Sequence, residues 1–322
     1  MNNYTGLSEQ NNHNNTMHDD IDMRELLTIL WKKKLLILLI TFIFSVTAVI
    51  YSINLPNIYK SEALLAPAES EQSGGLAALA GQFGGMASLA GINLAANNGV
   101  NKVELAIAVI KSKQFSRNFI KRHKILPELM AAAAWDEPSN TLEYDRSLFN
   151  PENKKWVSTG ELSKQPSQQE AYRIFSKSVS IEKSKEAGMF IISVKHLSPH
   201  IAQKWVSLIV QDINKEMKTR DVNEAMQSTD FLKKQIEQTN VTDIQKILYK
   251  LIEEQAKTIM FAEVRNEYIF KTVDPAIVPE KKYSPNRAVF SVLGFFVGLI
   301  LSVTLVLVHF YAFKGNEKVA IS

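Results

Sequence analysis

The residues able to do chemistry are few and scattered. Among the histidines His13, His18, His123, His196, His200 and His309, only His196 and His200 have the i, i+4 spacing at which two imidazoles on one helix face could hold a zinc ion. Ser198-Pro199 falls between them, and a serine followed by proline is a helix start, so the pair is divided between a preceding strand and a following helix. There is no HExxH, no glycine-rich loop ending in Gly-Lys-Ser/Thr and no GxSxG. Glu253 and Glu254 lie in a helical pattern, where a solvated face is the ordinary reading, and the Asn240-Val-Thr triplet is too short to weigh. With no cysteine, the chain forms no disulfide and offers no thiolate to a metal. The expectation is a non-enzymatic protein with no catalytic residue, metal or cofactor.

The strongest signals are physical. Leu35 to Leu55 and Ala288 to Val308 are charge-free runs, each long enough as a helix to cross a hydrocarbon core about 30 Å thick. Neither has the polar face of an ordinary buried core helix, and a signal peptide would not follow some 34 polar residues. Two spans place both termini on one side and residues 56–287 on the other. Trp31-Lys32-Lys33-Lys34 before the first run, with Lys314 and Lys318 after the second, favour cytoplasmic termini by the positive-inside rule. Lys281, Lys282 and Arg287 belong to a long loop, which crosses largely regardless of charge. The net charge of +4 sits mostly at the span boundaries and leaves no nucleic-acid footprint.

Elsewhere the pattern is mixed. Residues 1–20 are rich in asparagine and read as a disordered tail, followed by an amphipathic lead-in with Asp19 or Asp20 able to cap it. Tyr59–Pro67 reads as a strand. Residues 74–99 hold seven of the thirteen glycines, mixed with alanine and leucine, and read as a mobile loop or loosely held helix. Residues 102–126 read as helical, with Leu105, Val109, Phe115 and Phe119 at helical spacings, residues 135–167 look like a long surface excursion, and Ser167-Gln-Gln-Glu170 has the form of a capping box. Alternation on both sides of Gly188 marks a hairpin.

From Ser198 and Pro199 a stripe runs through Ile201, Trp205, Leu208, Ile209, Ile213 and Met217. It thins to Val222, Met226, Leu232 and Ile236, and that narrow seam is the candidate surface for packing between copies. A helix over residues 199–239 would be about 60 Å long, more than the roughly 45 Å diameter of a compact domain of this size, so the domain is expected to be elongated. A hitch at TNVTDIQK leaves open a fold-back onto the same domain. Pro275, Pro279 and Pro285 predict a stiff connector, and Gly294 with Gly298 forms a GxxxG for close helix packing in lipid.

This order of features resembles the polysaccharide co-polymerases, specifically the chain-length determinants of O-antigen (the Wzz family). The residues carrying it are IDMRELLTILWKKK, YKSEALLAP, LSPHIAQKWVSLIVQDIN and DPAIVPEKKYSP leading to Gly294 and Gly298. The connector has one proline fewer than the fuller family pattern. The resemblance implies an α+β inner-membrane protein, with two transmembrane helices flanking a periplasmic domain built from a small membrane-proximal mixed base and a long extended helix. Its divisions would be a cytoplasmic tail 1–34, span 35–55, periplasmic base 56–198, helical arm 199–272, connector 273–287, span 288–309 and cytoplasmic tail 310–322. It also implies a homo-oligomeric ring or bell that works with the O-antigen polymerase on lipid-linked glycan to set lipopolysaccharide chain length. The competing expectations are control of another surface polysaccharide (capsule, exopolysaccharide or common antigen), a two-span sensor, or an exporter adaptor.

Overall fold

The computed structural model describes residues 23–68, 102–159, 162–163, 165–185 and 188–319. The asparagine-rich tail, the capping aspartates Asp19 and Asp20, and the glycine- and alanine-rich segment 74–99 lie outside the described residues. The chain divides into two compact units: residues 1–55 with 286–322, and residues 56–285.

The first unit is helical. α1 (Met23–Lys32) is followed by α2 (Lys34–Asn54), and the C-terminal partner is α9 (Arg287–Val319), which continues as helix past the expected end of the second span. Residues 34–54 and 287–310 are long and apolar enough to cross a membrane. Only 11% and 17% of the residues in their most apolar windows are buried in the protein. A core helix of a soluble domain would be mostly covered, so the exposed Leu38, Phe42, Leu293 and Ile300 fit contact with lipid.

The second unit is α+β. Its helices and strands, in chain order, are β1 (Tyr59–Pro67), α3 (Lys102–Ile110), α4 (Lys113–His123), α5 (Leu126–Met130), β2 (Ala132–Asp136), β3 (Thr141–Tyr144), β4 (Phe149–Asn150), β5 (Lys155–Trp156), β6 (Ser158–Thr159), β7 (Leu162–Ser163), α6 (Gln168–Ser178), β8 (Val179–Lys183), β9 (Phe190–His196), α7 (Pro199–Gln238), α8 (Thr242–Val264) and β10 (Phe270–Asp274). The main sheet has the order β10-β1-β9-β8, antiparallel throughout. Its buried face carries Ala63, Leu65, Ile192 and Val194, which pack with Phe119, Phe175, Trp205, Ile209, Ile213, Met217 and Phe270 into one core. Each large side chain fully removed from water there contributes about 1.5–3 kcal/mol of gross stabilisation.

Local sequence explains the element ends. Ser167 accepts from the Glu170 backbone N–H while the Glu170 carboxylate accepts from the Ser167 N–H at 2.9 Å, closing the capping box of α6. Gly188 sits at φ +78° in the β8–β9 connection, a backbone region that side chains disfavour. Ser198 caps α7 through the Ile201 N–H, with Pro199 in its first turn.

The structure adds detail to three readings. The helical stretch holding Leu105, Val109, Phe115 and Phe119 is made of two helices, because the Ser112 side chain accepts from the Phe115 N–H and starts α4 afresh. Val103, Ala106 and Ile110 are the buried residues of α3, with Leu105 and Val109 only partly covered. The surface excursion at 135–167 contains short antiparallel hairpins, β2–β3, β4–β5 and β6–β7, with Tyr144, Phe149 and Trp156 in ring contact. The long helix does turn back: α7 ends at Gln238, and α8 returns antiparallel along it, bringing Leu251 beside Leu232 and Glu263 beside Lys218.

Buried polar groups lock α7 to its surroundings. The Asn214 amide oxygen accepts from the Ile269 and Phe270 N–H groups at 2.8 and 2.9 Å, and its NH2 donates to the Phe270 carbonyl at 3.0 Å. Asn214→Leu leaves those backbone groups buried without partners, each costing about 1–3 kcal/mol. The expected loss is at least about 3 kcal/mol, read as a lower denaturant midpoint of the purified protein; an unchanged midpoint would show that the start of β10 is held by other means.

Candidate functional site

In the first unit, α2 and α9 pack through small residues. A Cβ added at Gly294 would collide with the Ala48 Cβ, and one at Gly298 would lie 2.7 Å from the Phe44 Cβ and 3.2 Å from the Thr41 Cα. These glycines let the two backbones approach, the arrangement that favours helix association where no hydrophobic difference separates protein from lipid. The Thr41 and Ser302 hydroxyls meet at 3.3 Å in the same seam, and neither stood out in the sequence because each run holds other hydroxyl residues as well, Ser45, Thr47 and Ser52 in the first and Ser291 and Thr304 in the second.

In the second unit, two buried carboxylates tie helices together. Asp212 receives Arg122 and His123, both at 2.9 Å, joining α7 to the end of α4. Asp221 receives the Lys102 ammonium and the Tyr268 hydroxyl, each at 2.6 Å, joining α7 to α3 and to the approach to β10. Burial, then the bond to Asp221, pushes the Tyr268 phenol well above its ordinary value, so it remains a donor. Both sites are fully partnered and have the character of structural pins rather than of a reactive centre.

His196 and His200 do not come together around an ion. The His196 Nε2–H donates to the Glu128 carbonyl at 3.0 Å, and its Nδ1 accepts from the Ser198 N–H, so both nitrogens are used in the neutral ring. Beside it the Trp205 indole donates to the Glu128 carboxylate at 3.2 Å. His200 is exposed and tilts against Trp135. Among the described residues, no group of three histidine or acidic side chains could hold a metal. Glu253 and Glu254 both bind Lys257 on α8, at 2.9 and 3.1 Å.

The seam residues divide. Val222 is buried within the protomer, Leu232 lines an open groove of about 440 Å³ with Phe231 and Leu251, Ile236 is half-buried, and Met226 is exposed. Around them the hairpin of α7 and α8 exposes Phe231 (61%), Tyr249 (60%) and Val264 (79%), with Val241, Ile244 and Met260. Such an unpartnered apolar surface is the kind that protein interfaces use. The returning helix replaces some of the seam as the exposed surface, which is why periodicity on α7 alone named only part of it. Pro275 and Pro279 lie in the segment after β10, where Ser61 donates to the Ile277 carbonyl at 2.7 Å and Gln203 to that of Ala276 at 3.2 Å. Pro285 follows a cis peptide at Ser284.

Compared with known proteins, residues 19–123 match the family model described as Wzz, chain length determinant protein. That stretch holds α1, α2, β1, α3 and α4. Among curated proteins no match is found. Among solved structures, a full-length bacterial polysaccharide co-polymerase is 13% identical, over 92% of this chain and 99% of that one, with a TM-score of 0.38. A fragment of WzzB, a polysaccharide co-polymerase from Salmonella Typhimurium, is 14% identical over 71% and 100% of the two chains, with a TM-score of 0.27. Scores this low leave the family model as the informative comparison.

Two measurements follow. Because the chain has no cysteine, Thr41→Cys with Ser302→Cys gives a clean reporter of the α2–α9 seam. Oxidation in membranes should link the pair efficiently, and adding Gly294→Leu and Gly298→Leu should cut the yield severalfold, since overpacking costs about 1–3 kcal/mol. Undiminished linking would mean the glycines are not needed for the approach. The second concerns pH: burial holds the His196 pKa below 6.5, so the unfolded chain takes up the proton first as pH falls. Its contribution is complete above about pH 6.5 and is lost as pH drops through the lowered folded value. The melting temperature of the protein should fall on acidification from about pH 7.5 to 5, and His196→Gln should flatten that fall.

Proposed function

We propose that this chain is a non-enzymatic regulator of O-antigen chain length, an oligomeric scaffold in the bacterial inner membrane with both termini cytoplasmic and residues 56–287 in the periplasm. The observation that carries the reading is the family match over residues 19–123, which falls on an apolar membrane-length helix and the strand and helices directly after it. The second apolar helix at the other end of the domain agrees with it. The fully partnered carboxylates and the neutral, doubly bonded His196 fit a scaffold better than a catalyst.

In this reading the apolar face of the α7–α8 hairpin, including Met226 and the groove beside Leu232, packs against neighbouring copies in a ring or bell. Gly294 and Gly298 seat the second span, and the segment with Pro275, Pro279 and Pro285 stiffens the path into it. The partners are the O-antigen polymerase and lipid-linked glycan. Control of a capsule, exopolysaccharide or common antigen would use the same architecture and differs only in the polymer.

Deleting the gene in its host and running the lipopolysaccharide on a gel beside a plasmid-complemented strain tests the reading. Loss of a modal cluster, restored by the plasmid, is expected. An unchanged ladder, with other surface polymers also unchanged in size, would overturn it.

A further inference from the structure

On the face of the main sheet opposite the core, two lysines stand directly across from each other. Lys60 on β1 and Lys195 on β9 are register partners. Like charges in that position repel and weaken a sheet, so the pairing calls for compensation. Part of it comes from Tyr283: the Lys195 ammonium lies 4.8 Å and the Lys60 ammonium 5.6 Å from the centre of its ring. Glu62 takes up Lys60 at 2.8 Å, whereas among the described residues no carboxylate forms an ion pair with Lys195. Tyr283 is itself 54% exposed, and its backbone is fixed because its N–H donates to the Ile58 carbonyl at 2.8 Å. Lys282, from the same segment, reaches Asn57 at 3.5 Å.

We propose that Lys60, Lys195 and Tyr283 form a site for the phosphate of an anionic phospholipid headgroup. A phosphate oxygen between the two ammonium groups would remove their repulsion through charge-assisted bonds, and a tyrosine is a usual companion of headgroups. The choice of a lipid over a soluble phosphate comes from the chain itself. Tyr283 precedes the first residue of α9 by four positions and Lys60 follows the last residue of α2 by six. At a reach of at most about 3.5 Å per residue, both are tethered close to the surface those helices would meet. The inference rests on the reading of α2 and α9 as membrane spans.

The full chain is reconstituted into nanodiscs of phosphatidylglycerol or phosphatidylcholine, extracted in mild detergent, and the lipid it retains is measured by native mass spectrometry. Retention of phosphatidylglycerol over phosphatidylcholine is expected. Lys60→Gln with Lys195→Gln should lower it about fivefold for each lysine removed, Lys60→Arg with Lys195→Arg should keep most of it, and Lys281→Gln with Lys282→Gln should change it little. An unaltered melting temperature of the glutamine variant assigns its loss to the site rather than to unfolding. Equal losses from the two glutamine pairs would overturn the site in favour of general surface charge. Displacement of the lipid by millimolar inorganic phosphate would overturn it in favour of a soluble ligand. A chain that failed to enter discs of either lipid would instead defeat the membrane reading, which separates the two failures.

Discussion

The 56–285 domain depends on joining its own two ends. The Ile58 N–H donates to the Ser284 carbonyl at 2.8 Å, and β1 then pairs with β10 from Leu64 opposite Asp274 to Pro67 opposite Phe270. Segments more than two hundred residues apart in sequence thus become neighbours in one sheet. Closing so long a loop has an entropic cost that grows only slowly with length, but the contacts rewarding it must be good. They are supplied from the side by α7, whose Asn214 satisfies the backbone at the start of β10 and whose Trp205, Ile209, Ile213 and Met217 cover the sheet. Remove that helix and β1 loses its apolar cover together with the anchor of its partner strand.

Much of this was legible because it rests on local rules. The apolar runs, the Tyr59–Pro67 strand, the capping box at Ser167 and the Ser198-Pro199 start depend on a few adjacent residues. The start of α4 at Ser112 falls inside a stretch that reads as helical on both sides, so only the cap geometry separates the two helices. The hairpins between residues 132 and 163 were missed because strands of two to five residues carry almost no periodic signal, and Tyr144, Phe149 and Trp156 show their purpose only as a ring cluster. The carboxylates Asp212 and Asp221 looked like ordinary polar positions on a long helix. Their partners Arg122, His123, Lys102 and Tyr268 come from distant sequence, so pairing became visible only in three dimensions. At Lys60 the same limit applies, since an alternating strand pattern gives no hint that its cross-strand neighbour is another lysine.

Between α2 and α9 a different physics operates. In a bilayer their outer surfaces would be no more apolar than the lipid tails, so no hydrophobic gain would bring them together, and close packing and polar contacts would have to do so. Glycine at 294 and 298 brings one backbone near Ala48, Phe44 and Thr41, and the Thr41–Ser302 contact adds a hydrogen bond in a setting with little water. With one proton each, one hydroxyl donates across the seam while the other donates back along its own helix, Thr41 to the Ile37 carbonyl or Ser302 to that of Leu299, so the contact between helices has two alternative arrangements. The pair is therefore specified mainly by shape, and its tolerance for added volume is small.

The α7–α8 hairpin shows where self-sufficiency ends. Near the sheet, α7 buries a broad face through Trp205, Val206, Ile209, Ile213 and Met217, with Lys204, Gln211 and Lys215 on its exposed side. Beyond Ala225 the burial falls away, and Phe231, Val241, Ile244 and Tyr249 face outward on two helices that have mainly each other for cover. Helical propensity alone supports such a pair weakly, because most helix stability in proteins comes from packing an apolar face. An arm built to stand alone would carry charged residues at these positions. Retaining large apolar ones leaves area that contact with another surface would bury at about 25 cal/mol per Å². The same residues that make the distal arm marginal in a single copy would thus stabilise it in an assembly, coupling its order to association.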